Sequence, residues 1–226
     1  MSKAFNIDMY DGHLIFNMDG LKVLVDTGCP ATISRQNTFI FMGQEYRCYT
    51  SYGGKDIGGI SRLMDYDIDI FMGMDIIENY YILTDYKHQK VTFSLEPIPF
   101  EPICSTPILR GQMGEVCVNL TIKGNVVKLA LDTGAKISYI DKSLTMGESI
   151  IQKRDDFNPM IGHFQTPIFA MEATIDGKAF PVNFGVIPAV LAMPLQWMGI
   201  FGAIGFDLYN AFNVLMDFKN NMLYMS

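Results

Sequence analysis

Short apolar runs, rich in β-branched and aromatic residues and separated by turn residues, recur along the whole chain. In the first half they span 12–25, 68–72, 80–84 and 91–95; in the second, 116–122, 126–131, 168–175, 180–186 and 212–216. Runs of this length and composition predict strands, and the class predicted is all-β. Asp19-Gly20, Lys123-Gly124-Asn125, Asp176-Gly177 and Asn220-Asn221 mark turns between them. Helix is expected to be sparse, first of all as single turns opened by Asp75 and Asp207, whose carboxylates are placed to cap free N–H groups.

The pattern repeats. Asp26-Thr27-Gly28 and Asp132-Thr133-Gly134 each end an apolar run, Lys22-Val23-Leu24-Val25 in one case and Lys128-Leu129-Ala130-Leu131 in the other. A hydroxyl follows at the same spacing, Thr32 and Ser138. Further on, Gly73-Met74-Asp75-Ile76-Ile77 reappears as Gly205-Phe206-Asp207-Leu208-Tyr209, and that alignment puts Leu83 on Leu215 and Asp85 on Asp217. Chance tripeptides do not bring their neighbours with them, so the chain reads as two related halves. A first lobe is expected over 1–96, a Pro-rich linker over 97–110 and a second lobe over 111–226. The halves are unequal: 45 positions lead from Gly28 to Gly73 and 71 from Gly134 to Gly205.

Composition narrows the function classes. The 226 residues suffice for two small lobes, and 49% hydrophobic content supplies their cores. Seventeen Lys and Arg against 24 Asp and Glu, with no basic cluster, argue against nucleic acid as a partner. The uncharged stretch 179–206 could span a bilayer by length, but its prolines and glycines would break a helix, and buried strands joined by an apolar loop are expected there instead. The segment 1–11 lacks a signal-peptide core, and the four cysteines lack metal-type pairing, so a reduced cytoplasmic setting without membrane attachment is expected. His13, His88 and His163 are isolated in sequence, and neither a metal nor another cofactor is expected. The sixteen methionines read as core fillers.

An Asp at a strand end followed by Thr and Gly has a physical use, because Gly permits a tight turn and close approach while Thr brings a hydroxyl into a buried place. Two copies on related lobes can bring their carboxylates together, where like charges share one proton. The ionised member can then act as general base on a water, and the protonated member can hydrogen-bond a carbonyl oxygen.

On these residues the sequence resembles the aspartic peptidases, and within them the retropepsin-like branch, here as two tandem lobes in one chain. The apolar-apolar-Gly elements Phe71-Met72-Gly73 and Ala203-Ile204-Gly205 belong to the same likeness. The resemblance implies two pseudo-symmetric β-barrel lobes with a cleft between them, and an aspartic endopeptidase with Asp26 and Asp132 as its dyad. It implies an interlocking grip by Thr27 and Thr133, close-approach backbone at Gly28 and Gly134, and support from Thr32 and Ser138. The substrate would be a peptide or protein, and one chain would suffice without a second copy. A catalytically inactive member of the fold, serving peptide binding or assembly, is the alternative. Cys29 and Ala135 stand where pepsin-like sites carry a serine, so the dyad is expected to lack that hydroxyl donor and to work at weakly acidic pH. Cys29 itself reads as a buried, inert thiol.

Family members cover the cleft with a glycine-bearing hairpin. In the second lobe the candidates are Gly162, His163 and Phe164; in the first they are Tyr52-Gly53-Gly54 or Ile57-Gly58-Gly59-Ile60, where the shorter spacing leaves little room. One proper flap at most is therefore expected, with ordinary surface turns as the alternative for these glycines. The stretch 187–197 is expected in the core or between the lobes, with lining of subsites as the alternative, and Trp197 is expected as packing.

Overall fold

The computed structural model describes all residues, Met1–Ser226. Half of them lie in strands. The chain opens with a meander of β1 (Ser2–Tyr10), β2 (His13–Met18) and β3 (Leu21–Val25), joined by the two-residue turns Asp11-Gly12 and Asp19-Gly20. Both residues of each turn have positive φ, the twist that suits a hairpin and that Asp-Gly tolerates. Then come β4 (Ile33–Ser34), the hairpin β5 (Thr38–Phe41) and β6 (Gln44–Arg47), and the minimal pair β7 (Ser51–Tyr52) and β8 (Lys55–Asp56).

Helix α1 (Ile57–Met64) follows directly. Asp56 caps it by accepting from Gly59 N at 2.7 Å, and Ile57, Ile60, Ser61 and Met64 form its buried stripe. The glycines of Ile57-Gly58-Gly59-Ile60, expected at a flap or turn, thus lie in a first helical turn. The half ends with β9 (Ile70–Met72), α2 (Met74–Ile77), β10 (Tyr81–Asp85) and β11 (Lys90–Ser94).

The second half starts at β12 (Cys104–Pro107) and β13 (Leu109–Arg110), so the later part of the span expected as linker is strand; 97–103 has no regular structure. The meander β14 (Val116–Ile122) and β15 (Asn125–Leu131) leads to β16 (Ser138–Ile140), the long hairpins of β17 (Gln152–Asn158), β18 (Gly162–Ile175) and β19 (Lys178–Val186), helix α3 (Ala189–Trp197), β20 (Gly202–Ile204), α4 (Phe206–Ala211), β21 (Val214–Asp217) and β22 (Met222–Met225). Pairing of β14 with β18 closes β14-β15-β20-β16-β19-β18 into a six-stranded barrel. Between β4 and β9 the first half carries only the short pairs β5–β6 and β7–β8 and then α1, which packs against Ile15, Leu24, Ile33 and Phe71. The loop expected in 187–197 is largely α3, which buries none of its residues and leaves Trp197 80% exposed. No helix is long and apolar enough to cross a membrane.

Three strands from each half form one sheet, β1-β11-β10-β21-β22-β12. Its centre pairs Leu83 with Leu215, the residues the internal alignment superposes. Equivalent bonds recur outward: Ile7 N donates to Gln89 O, and Ile108 N to Asn221 O, both at 2.8 Å. A single cluster of 42 buried residues runs through both halves, so they share a core. Methionines divide between core and surface: Met72 and Met216 are fully buried, whereas Met113 and Met146 are largely exposed.

Candidate active site

In each half, one strand passes beside the strand that carries the Asp-Thr-Gly. β9 runs parallel to β3, and Asp26 N donates to Met72 O at 2.9 Å; β20 runs parallel to β15, and Asp132 N donates to Ile204 O at 3.0 Å. The crossings need glycine. A Cβ on Gly73 would stand 2.6 Å from Ala31 backbone, and one on Gly205 2.2 Å from Ala135 O.

The threonines interlock the two loops. Thr27 N donates to Thr133 Oγ1 and Thr133 N to Thr27 Oγ1, each at 3.0 Å. Thr27 Oγ1 donates to Leu131 O at 2.6 Å, and Thr133 Oγ1 to Val25 O at 2.7 Å. Both residues are buried, at 3% and 1% exposure, so these bonds satisfy groups that water cannot reach.

Above the grip, each carboxyl accepts from its own glycine: Gly28 N to Asp26 Oδ1 at 2.7 Å and Gly134 N to Asp132 Oδ1 at 2.9 Å. Each also leans on the opposite one. A Cβ on Gly28 would lie 2.9 Å from the Asp132 carboxyl, and a Cβ on Gly134 2.5 Å from that of Asp26. The two aspartates, 106 positions apart, therefore meet. Burial, and then the charge of Asp132, push Asp26 well above the usual carboxylate range. Burial also raises Asp132, while a hydrogen bond from Asp26 opposes the rise. Carboxyls this close and this buried cannot both ionise, so the pair holds one proton between them.

Thr32 and Ser138 brace the loops from outside. Thr32 Oγ1 donates to Asp75 Oδ1 at 2.6 Å and accepts from Gly73 N at 3.0 Å; Ser138 Oγ donates to Asp207 Oδ2 at 2.6 Å and accepts from Gly205 N at 3.2 Å. Asp75 and Asp207 lie inside their helices, whose caps are Gly73 and Gly205 without side-chain bonds. They hold hydroxyls rather than cap helices as expected. Cys29 is buried; its thiol donates to Ala31 O at 3.2 Å and is pushed up to about 12, chiefly by burial.

The aspartates open onto a cavity of about 190 Å³. Its walls include Leu24 and Phe71 from the first half, Phe157 to Pro159 and Phe164 from the β17–β18 hairpin, and Ile187, Pro188, Leu191 and Leu195 before and along α3. The stretch 187–197 thus takes the alternative weighed for it, lining the cleft rather than entering the core. Gly162 begins β18 at φ +82° and pairs with Asn158, Phe164 faces the cavity, and exposed His163 lines a separate open depression with Lys55 and Arg62. Sequence reasoning missed Phe157, which packs onto the first half beside α1, and His13, which lines the cavity. Across the cleft, Tyr52 and Lys55 pair in the stub β7–β8, whose turn residue Gly53 faces Met160 of the hairpin tip.

No family model matches the sequence, and no curated protein does. Among solved structures, an aspartic proteinase from Irpex lacteus superposes over 100% of this chain and 97% of its own, with a TM-score of 0.56 at 10% sequence identity. The fold is that of the aspartic proteinases. A retropepsin-like aspartic protease from Rickettsia conorii matches 54% of this chain and 89% of its own at 17% identity, with a TM-score of 0.39.

Proposed function

We propose that the chain is an aspartic endopeptidase that hydrolyses peptide bonds with a water activated by Asp26 and Asp132. The observation that carries this reading is the mutual approach of the two carboxyls, each backed by the other half's glycine and opening onto a cleft. An extended peptide lies across that cleft beneath the β17–β18 hairpin. Ionised Asp132 takes a proton from water as the oxygen attacks the carbonyl carbon, and Asp26 gives its proton to the carbonyl oxygen. The gem-diol then collapses: Asp132 protonates the leaving nitrogen, the C–N bond breaks, and a diol hydroxyl returns a proton to Asp26. Both aspartates come from one chain, from halves that share the repeated motif, so no second copy is needed.

A peptide isostere with a hydroxyl-bearing tetrahedral carbon in place of the scissile amide tests the reading. It is expected to bind at least about 100-fold tighter than the matching peptide, as transition-state mimics do. Equal affinity of the two by calorimetry would contradict catalysis and favour a peptide-binding module.

A further inference from the structure

The Asp11-Gly12 turn of the first half is seated on the second. A Cβ on Gly12 would stand 3.0 Å from the Phe206 ring, Lys136 Nζ lies 2.7 Å from Asp11 Oδ2, and Arg154 Nη2 lies 3.7 Å from Asp11 Oδ1. His13 follows this turn, 3% exposed, with Nδ1 2.7 Å from the carbonyl oxygen of Gly134. A carbonyl can only accept, so Nδ1 carries the hydrogen, and in the neutral ring Nε2 is bare. Nδ1 makes the ring's one hydrogen bond, so Nε2 has no partner in the protein, and His13 lines the cavity. The opposite half has no equivalent. Leu24 and Ala130 are matched positions whose strand partners are Ile15 and Cys117, so the place of His13 falls on Glu115, which carries no imidazole.

We propose that His13 is a positioning residue of the site: from the first half, its Nδ1–H holds the Gly134 carbonyl, and with it the glycine that backs the Asp26 carboxyl. This rests on the endopeptidase reading. Since that glycine lies against Asp26, a shift of its peptide plane changes the separation of the dyad. The groups facing His13 are Asp11 on its own turn, Lys136 at the exit of the Asp132 loop, and Asp156 on β17, with the Phe157 ring 6.2 Å away. Lys136 stands between the two carboxylates, 3.7 Å from Asp156. Burial lowers the imidazole's pKa, outweighing the Gly134 carbonyl and Asp156, so the ring holds its neutral form to lower pH than an ordinary imidazole. Protonation would place a hydrogen on Nε2, where no protein acceptor awaits it. Loss of the neutral ring therefore contributes an acidic limb to the activity profile.

Imidazole ¹⁵N NMR on the whole chain, together with two substitutions, tests this. The spectrum should show His13 as the Nδ1–H tautomer, titrating below the ordinary 6.5; an Nε2–H tautomer or unshifted titration would overturn the proposal. His13→Leu, which keeps bulk but no donor, should lower kcat by about tenfold or more with KM within about threefold. His13→Asn, whose amide can reach the same carbonyl but does not titrate, should recover most of that loss and move the acidic limb. Wild-type kinetics in both variants, or equal losses tracking an equal fall in thermal midpoint, would reduce His13 to packing. If the wild type cleaves nothing, the endopeptidase reading fails, while the NMR still decides whether His13 holds Gly134.

Discussion

Replacing either aspartate by asparagine is expected to lower peptide cleavage by at least about a thousandfold, because the general base and the proton donor form one unit and neither works alone. Asp132→Asn and Asp26→Asn each remove one carboxyl of the pair that shares the proton. The same substitutions should stabilise the fold at neutral pH. Burial raises both carboxyls in the folded chain above their model value of 3.8. As pH climbs past 3.8, the unfolded chain releases these protons first, so the wild type loses stability with rising pH. An amide carries no such penalty. Asp26→Asn should therefore melt higher than the wild type at neutral pH and converge with it in strong acid. Thermal midpoints across pH check the sign, and an asparagine variant that melts lower at neutral pH would refute the buried, proton-sharing pair.

The second large effect concerns the grip. Thr27→Val keeps the shape of the side chain but removes the oxygen that accepts from Thr133 N and donates to Leu131 O. Two buried backbone groups then lose their partners, at about 1–3 kcal/mol each. A loss of about 2–6 kcal/mol is expected in denaturant unfolding, together with loss of activity as the loops separate. Thr133→Val should behave alike through Thr27 N and Val25 O, and the double variant should cost less than the sum because the four bonds form one network. Thr27→Ser, which retains the hydroxyl, should recover most of the stability. A Thr27→Val protein as stable as the wild type would show that the grip contributes little.

Much of this site is legible in the sequence because its parts are local. A β-branched run ending in Asp-Thr-Gly, an X-Gly turn before it and a hydroxyl after it each reflect a short-range constraint, and the doubling supplies the partner. What escapes has other causes. The buried stripe of α1 is masked by Gly58 and Gly59, which read as turn. Helix α3 is apolar all round and contains Pro194, so no helical period shows; it covers the cleft with Leu191 and Leu195 instead of entering the core. Strand β12 hides among prolines, which an edge strand tolerates, Pro107 being its last residue. The roles of Asp75 and Asp207 were half visible, since the spacing of Thr32 and Ser138 was read but not what they bond. His13 was invisible because its partner is a backbone carbonyl 121 positions away.

Proteolysis itself is the claim on which the rest depends. Incubating the purified chain with a diverse peptide pool from about pH 4 to about pH 8, and reading the new termini by mass spectrometry, tests it directly. The raised dyad, with the Cys29 thiol turned to Ala31 O and no hydroxyl at Ala135, should give internal cleavage of extended peptides that is fastest at weakly acidic pH and is suppressed by the hydroxyl isostere. A pool left intact at every pH by a folded chain that still binds peptides would contradict the account and leave a binding module on the same fold.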